Sequence, residues 1–294
     1  MENMLDKNWY DKKYRLMLFP PLILFAICLV YLAIFYSTNG DFIFKDSSLA
    51  GGSTITISEG IDYISLENSL KNSFEDVKVR EIKDLATGES IALIVDSSAP
   101  PEELKSEIES ILGYELTDEN SSIEFTGPSL SQNFYKQLLT AIIFSFILMS
   151  LAIFILFRTF IPCIAVIFAV LADIIMTVAL VDLLGIKLSS AGIAAFLMLI
   201  GYSVDTDILL TTRVLKKTEG SVNERIYSSF KTGIFMTITG LLAVLPAFFL
   251  VTTLPDSFRQ IFLILAIGLF ADIINTWLTN ASIIKWYVDS KGIK

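Results

Sequence analysis

Two acidic residues, Asp205 and Asp207, lie in the string GYSVDTDILLTTR within residues 188–212, a stretch that is otherwise apolar enough to cross a membrane. A charged side chain at the centre of a bilayer costs about 2.5–3.5 kcal/mol on insertion scales, so acids that persist there usually have a function. A third acid, Asp173, lies in the preceding apolar stretch. Because a carboxyl group shielded from water retains its proton more readily, the three acids predict a buried polar group able to exchange protons near neutral pH.

Helix geometry separates the two acids of the fourth stretch. Two residues at about 100° each place Asp205 and Asp207 about 200° apart, and Asp207 shares its face with Ser203 and Thr211. We expect one acid to lie in the functional group and the other to lie between helices or to face water. Lys231, where the next stretch begins, is the candidate basic partner, because a nearby cation stabilises a carboxylate.

Further polar residues in the apolar stretches are secondary candidates for a functional role. They are Asp272 and Asn275 in LFADIINTWLTN, Ser203, and Arg213 at the end of the fourth stretch. Such side chains also fasten helices together through hydrogen bonds, and that structural role stays open for all of them, above all for the terminal Arg213. The proton-relay candidates are Asp205, Asp207, Asp173 and Lys231.

Long apolar runs must position these residues. The chain has 294 residues, 53% of them hydrophobic, and a mean hydropathy of +0.64. Six runs are each long enough to cross a hydrocarbon core of about 30 Å; they cover about 16–36, 135–157, 161–183, 188–212, 232–252 and 259–285. The first run exceeds a signal-peptide core and no small-x-small site follows it, so we expect an uncleaved anchor. A short amphipathic helix is expected at the membrane surface over EGSVNERIYSSFK.

Basic residues predict the orientation. Thirteen lysines and arginines flank one side of the runs, whereas the two short loops on the other side carry only Lys187 and Arg259. By the positive-inside rule, we expect a protein of the cell membrane with both termini cytoplasmic. The predicted parts are a cytoplasmic N-terminus (1–15), a first transmembrane helix (16–36), an extracytoplasmic domain (37–134), a five-helix transmembrane bundle (135–285) and a cytoplasmic C-terminus (286–294).

The predicted extracytoplasmic segment has soluble composition and strong acidity. Residues 37–134 hold 19 acidic and 6 basic residues, a net charge of −13. The pattern predicts strands at STITIS, VKVREIKDL, SIALIVDSS and SSIEFTG, with a helix capped by Ser65 and a second helix that ends at Gly113. The predicted turn ATGE joins the middle strands. The order β-α-β-β-α-β indicates a ferredoxin-like α+β domain, and its acidity makes nucleic acid an unsuitable partner.

Several kinds of chemistry are excluded by composition. The chain has no histidine, which excludes Ser–His catalysis and histidine-ligated metals. Its two cysteines, Cys28 and Cys163, both lie in apolar runs without metal-ligand spacing. No glycine-rich phosphate loop is present. We therefore expect neither an enzyme nor a cofactor or metal site.

Five strings resemble the SecF family, the smaller partner in the SecDF protein-export complex. LLGIKLSSAGIAAFLMLIGYSVDTD resembles the junction of its third and fourth spans, and AVLADIIMT resembles its Asp-bearing third span. LAGGSTITI is similar to its GG-containing segment and FTGPSLSQNF to its VGP-type segment, while DIINTWLTN favours the archaeal branch. The strings occur in the family's order over nearly the whole chain.

This resemblance implies a six-span half of the RND superfamily that pairs with a SecD-type subunit. It implies the Sec translocon channel, preprotein substrates and membrane lipid as further partners, and export assisted by the proton motive force. Bacterial relatives read GYSVNDT, with their acid at the position of Thr206 here, and often carry Arg in place of Lys231. The relay through Asp205 or Asp207 is therefore inferred from neighbouring positions. Two alternatives stay open: an RND-type exporter of small solutes or lipids working as a homodimer, and a non-transporting membrane scaffold.

Overall fold

The computed structural model of the protein describes residues 7–58, 63–74, 77–83, 90–250 and 256–292. Its helices are α1 (Lys7–Met17), α2 (Phe19–Asn39), α3 (Ser47–Ala50), α4 (Tyr63–Ser73), α5 (Pro101–Leu112), α6 (Pro128–Phe157), α7 (Phe160–Leu183), α8 (Ser190–Lys216), α9 (Val222–Leu250), α10 (Asp256–Ile274) and α11 (Ala281–Lys291). A π-helical segment, Asn275–Asn280, joins α10 to α11. The strands are β1 (Gly52–Ile57), β2 (Lys78–Lys83), β3 (Ser90–Ser97) and β4 (Ser121–Thr126).

Six helical stretches in the described part of the chain are long and apolar enough to cross a membrane. They are Tyr10–Asn39, Ser129–Phe157, Phe160–Leu183, Ser190–Lys216, Val222–Phe249 and Phe258–Lys291. The prediction of a six-span helical membrane protein is confirmed. Each stretch matches one predicted run in order, and most extend beyond it by several residues because the polar ends of the helices continue the same hydrogen-bonded turns.

One predicted helix is wrong. The separate surface helix expected over residues 219–231 is absent, because residues from Val222 onward form the first turns of α9, which continues without a break. Ser221 and Glu224 start α9 as a capping box: the Ser221 amide donates to the Glu224 carboxylate at 3.0 Å, and the Glu224 amide donates to the Ser221 hydroxyl at 3.3 Å. No glycine or proline then interrupts the chain before Gly233, so the amphipathic part and the span form one helix.

Between α2 and α6 the chain forms a small sheet domain, made of β1–β4 with α3, α4 and α5. All neighbouring strands are antiparallel and the order in the sheet is β2-β3-β1-β4. The core lies between one face of the sheet and α4 and α5, with Leu66, Leu70, Leu104 and Ile108 almost fully buried. The helix α4 already begins at Tyr63, so Ser65 lies inside it and the predicted cap is wrong. The predicted ATGE turn lies outside the described residues.

Within the bundle, α7, α8 and α10 are the most buried spans, and α2, α6 and α9 lie around them. Small residues permit this close packing. A Cβ atom added at Gly268 of α10 would lie 2.4 Å from Leu199 of α8, and one added at Gly233 of α9 would lie 2.3 Å from the ring of Trp277. Gly233 thus lets α9 approach Trp277 closely, as small residues do between membrane helices.

The sheet domain is connected to the end of the bundle where α7 turns into α8. Lys45 and Leu188 form a parallel bridge; the Leu188 amide donates to the Phe44 carbonyl at 2.6 Å and the Asp46 amide donates to the Leu188 carbonyl at 3.0 Å. These backbone bonds place the sheet domain against the α7–α8 loop, at the end of the bundle that also holds the first residues of α10.

Candidate functional site

Three acidic side chains are fully buried between the central helices. Asp173 comes from α7, Asp207 from α8 and Asp272 from α10. An unpaired polar group in an apolar interior is costly unless it is hydrogen-bonded, and each of these carboxyls has such partners. We call the three acids with their hydroxyl and amide partners the carboxyl cluster.

Asp207 is held by the π-helical segment. Its Oδ1 atom accepts a hydrogen bond from Asn280 Nδ2 at 2.6 Å and lies 2.9 Å from Thr276 Oγ1. Among the described residues, its Oδ2 atom has no hydrogen-bond partner. Ser203 and Thr211, one turn away on either side of Asp207, are also fully buried. The face of α8 predicted from the sequence is therefore the face that packs inward.

Asp272 and Asp207 share one hydroxyl group. Thr276 Oγ1 lies 2.9 Å from Asp272 Oδ1, the same distance as from Asp207 Oδ1. Thr206 Oγ1 also lies 2.9 Å from Asp272 Oδ1. A threonine hydroxyl carries a single proton to donate, so Thr276 can donate to only one of its two carboxyls. The contact between Thr276 and the other carboxyl is a hydrogen bond only when that other carboxyl is protonated and donates to the Thr276 oxygen.

Asp173 is fixed from both neighbouring helices. The Ser203 hydroxyl donates to Asp173 Oδ2 at 2.5 Å, and Asn275 Nδ2 donates to Oδ1 at 2.7 Å. Ser203 thus connects Asp173 to the helix that carries Asp207. The described hydrogen bonds and ion pairs of the three carboxyls include no lysine or arginine, so the cluster has no internal cation to balance its acids.

The π-helical segment explains how so many polar groups reach the cluster. A π-turn adds one residue to the helical repeat and often occurs at functional sites. Here Asn275 points to α7, and Thr276 and Asn280 point to α8. These residues and Thr279 are all buried. Among the described residues, no group of three or more acidic, cysteine or histidine side chains has the geometry to hold a metal ion.

The other predicted residues lie outside the cluster. Asp205 and Lys231 are both exposed on the surface of the chain, as expected for Asp205 if Asp207 is the inward acid. Arg213 fastens α8 to α9, because its Nη1 atom donates to the Ser228 carbonyl at 2.9 Å and to Thr232 Oγ1 at 2.9 Å. No contact in the described structure joins Lys231 to a buried carboxyl.

Sequence reasoning missed the bridging role of Thr206. It lies between two acids, and its hydroxyl contacts Asp272 of a helix 66 residues away. Its position three residues after Ser203 is a signal in the sequence, because i and i+3 share a helix face. Gln260 was also missed. Its Oε1 atom accepts from the Ser189 amide at 2.8 Å and the Ser189 hydroxyl at 2.6 Å, joining the start of α8 to α10.

Six candidate spans, a sheet domain between the first two, and three acids buried between the central helices define a multi-pass membrane protein with intramembrane carboxyl groups. A family profile described as "Protein export membrane protein SecD/SecF, C-terminal" matches residues 109–290. The chain belongs to the SecF family of protein-export membrane proteins.

Curated relatives agree over nearly the full length. The protein-export membrane protein SecF of Methanothermobacter thermautotrophicus is 38% identical over 287 residues, covering 96% of this chain and 95% of the relative. SecF of Methanolacinia petrolearia is 36% identical, with 98% of both chains covered. SecF of Pyrococcus furiosus is 34% identical, with 92% of this chain and 90% of the relative covered. The resemblance to SecF, including its archaeal members, is confirmed.

A solved structure shares the fold. The crystal structure of SecDF, a translocon-associated membrane protein from Thermus thermophilus, aligns with a TM-score of 0.71 at 19% identity. The alignment covers 95% of this chain and 38% of that longer chain. The likeness therefore concerns the fold of one part of the longer protein.

Proposed function

We propose that this chain is an accessory subunit of the Sec protein-export machinery. It pairs with a SecD-type subunit in the membrane, acts beside the Sec translocon channel and uses the proton motive force to promote passage of preproteins. Family membership supports the export role, since its relatives carry that name. The observation that carries the energetic part is the carboxyl cluster, whose three buried acids share hydroxyl donors and have no described basic partner.

The cluster holds at least one proton in this arrangement. With Thr276 donating to one carboxyl, the other carboxyl must donate to Thr276 or lose the contact. Three unpaired carboxylates in an apolar bundle would also repel one another at high cost, because taking charges out of water is expensive. Asp207 Oδ2 is the oxygen open to exchange, since Oδ1 already accepts from Asn280.

Loss of that proton changes the packing of three helices. A carboxylate at Asp207 or Asp272 would compete for the single Thr276 hydroxyl and repel its neighbour. The bundle then favours a second arrangement in which the charge meets a cation or water. Alternation between two packings, biased by protonation, is how an ion gradient can drive movement of the helices and the attached sheet domain.

The exposed acid on α8 marks the partner face. Asp205 would face lipid if the chain were alone in the membrane, and a carboxylate in lipid is unfavourable. We infer that this face meets the SecD-type subunit. Lys231, exposed at the start of the fifth span, belongs to the proposed relay as a cation that reaches a carboxylate only after the helices move or through the partner.

The basic residues that flank the spans favour one orientation of the chain in the membrane. In that orientation both termini are cytoplasmic and the sheet domain lies outside the cell membrane. A cysteine placed at Ser106, exposed on α5, would then react with membrane-impermeant thiol reagents in intact cells. Labelling of that cysteine only after lysis would reject this orientation.

The export role is tested by replacing one buried acid. Asp207→Asn keeps the size of the side chain and removes its capacity to exchange a proton. We expect it to insert, to assemble with the SecD-type subunit and to lose the part of preprotein translocation that depends on the proton gradient. Glu219→Gln, in the exposed α8–α9 loop, is the matched control and should export normally.

Three outcomes reject parts of this proposal. Gradient-dependent export that survives in Asp207→Asn shows that this acid is not the coupling group. Copurification of a second copy of this chain, in place of a SecD-type subunit, would favour a homodimeric exporter. Export that does not respond to dissipation of the gradient in the wild type would favour a passive scaffold.

A further inference from the structure

A further acid is buried in the bundle, apart from the carboxyl cluster. Asp182 is the last residue but one of α7, and only 3% of its surface is exposed. It lies about 2.5 helical turns after Asp173 on the same helix. This position is at the end of the bundle that meets the sheet domain, and the described hydrogen bonds of the carboxyl cluster do not extend to it.

The segment that leads into the sheet domain covers Asp182. We call this segment, residues 40–46, the junction segment; its backbone is hydrogen-bonded to the α7–α8 loop. The Phe44 backbone faces the Asp182 carboxyl. Ile43 of the junction segment and Val181 of α7 belong to the same buried apolar cluster. The carboxyl therefore lies inside the contact by which the sheet domain is attached to the bundle.

In this position the Asp182 carboxyl is poorly solvated by the protein. Among the described residues, neither of its oxygens has a partner that meets the usual hydrogen-bond geometry. The described ion pairs do not include it either. An ionised carboxylate enclosed in this way is costly, because burial removes its hydration and nothing replaces it. A protonated carboxyl is neutral and avoids most of that cost.

The ionisable groups around Asp182 do not balance a charge on it. Tyr31 of α2, Asp41 of the junction segment and Tyr135 of α6 face it, and Lys45 is held beside them. Lys45 pairs with one oxygen of Asp41 at 2.6 Å, and the Tyr135 hydroxyl donates to the other oxygen at 3.0 Å. The Lys45 ammonium also lies 4.5 Å from the centre of the Tyr135 ring. Lys45 is thus committed to Asp41, and ionisation of Asp182 would add a second negative charge beside it.

We propose that Asp182 is a proton-binding site that controls the contact between the sheet domain and the bundle. The attached arrangement forms around a protonated Asp182. After loss of the proton, the junction segment lifts from α7, so that water or a cation reaches the carboxylate. This site is separate from the carboxyl cluster, and the proposal does not depend on how that cluster operates.

The direction of the pH dependence follows from the burial of Asp182. The attached state holds one proton more than the detached state, so attachment is favoured when the pH falls and is lost as the pH rises. The equilibrium constant for attachment changes by at most about tenfold per pH unit, because a single proton is exchanged. The sheet domain would then respond to the pH on its own side of the membrane.

The position of the sheet domain is measured with two nitroxide labels. They are attached to the substitutions Ser106→Cys, exposed on α5, and Gln137→Cys, exposed on α6. The full-length chain carries Cys28→Ala and Cys163→Ala so that labelling is specific. Pulsed electron paramagnetic resonance in lipid nanodiscs gives the distribution of distances between the labels. We expect one distance at about pH 5 and a second population that grows towards about pH 8.

Four variants assign the titrating group. Asp182→Asn is neutral at every pH, so it should stay attached over the whole range and lose the pH dependence. Asp182→Ala repeats the comparison without the amide group. Asp118→Asn removes an exposed acid in the turn before β4, and Asp207→Asn alters the carboxyl cluster. Both of these variants should keep the wild-type response.

Several results would overturn the proposal. One is a wild type whose label distances do not change with pH. Another is a response that persists in both Asp182 variants, since a different group would then be titrating. A response lost in Asp207→Asn assigns the titration to the carboxyl cluster, and one lost in Asp118→Asn assigns it to the acidic surface of the sheet domain. Either of these results also contradicts a role for Asp182.

Discussion

The Thr276 hydroxyl lies 2.9 Å from one oxygen of each of two acids, Asp207 and Asp272. A single proton cannot serve both contacts, so this residue determines how many protons the pair must keep. Nothing in the sequence reveals that sharing, because the two acids lie on different helices 65 residues apart. The sequence does show that Asp205 and Asp207 face opposite ways. Which one faces inward depends on the neighbouring helices, and the structure places Asp207 there.

Thr276→Val tests the shared hydroxyl. Valine has nearly the same shape and removes the hydroxyl group that lies between Asp207 and Asp272, so two buried carboxyls lose a partner. We expect a loss of about 1–3 kcal/mol in the free energy of unfolding, seen as a lower thermal midpoint in detergent. Thr279→Val is the control in the same π-helical segment, because Thr279 Oγ1 has no hydrogen-bond partner among the described residues. Equal midpoints for the two variants would show that Thr276 does not hold the pair together.

At the scale of the elements, length and the periodicity of apolar residues were sufficient to predict six spans and the succession of strands and helices along the sheet domain. These features depend on local periodicity, which a sequence displays directly. The π-helical segment could not be predicted, since the shift from an α-turn to a π-turn depends on how Asn275, Thr276 and Asn280 meet α7 and α8. The expected surface helix was wrong for a related reason. An amphipathic pattern indicates one polar face and does not show where the helix ends.

Gly233→Ala tests the packing that holds the π-helical segment. A Cβ atom there would lie 2.3 Å from the Trp277 ring, so either that ring or α9 must shift. Overpacking of this kind costs about 1–3 kcal/mol, and we expect a lower thermal midpoint together with weaker proton-driven export. Gly201→Ala on α8 is the control, because nothing lies within 4 Å of the added atom. Its thermal midpoint should equal or exceed that of the wild type, since alanine favours a helix. A Gly233→Ala variant as stable as the wild type would mean that this contact is not tight.

At the scale of the whole molecule, the sheet domain and the bundle are joined beside α8, the helix that carries Asp207. Backbone bonds between residues 44–46 and Leu188 lie just before the start of α8, and Gln260 joins the same turn to α10. A change of packing around Asp207 and Asp272 therefore acts on the two helices to which the sheet domain is attached. Under the proposed function, this connection would transmit proton exchange at the carboxyl cluster to the sheet domain.

The central claim is that the Asp207–Asp272 pair, which shares the Thr276 hydroxyl, holds a proton at neutral pH. Infrared spectroscopy of the chain in lipid bilayers detects protonated carboxyl groups directly. We expect the wild type at pH 7 to show absorption from a buried protonated carboxyl, unchanged in the exposed-acid variant Asp205→Asn and lost in Asp207→Asn. A wild-type spectrum without that absorption at pH 7, or one that persists in both Asp207→Asn and Asp272→Asn, would contradict the claim.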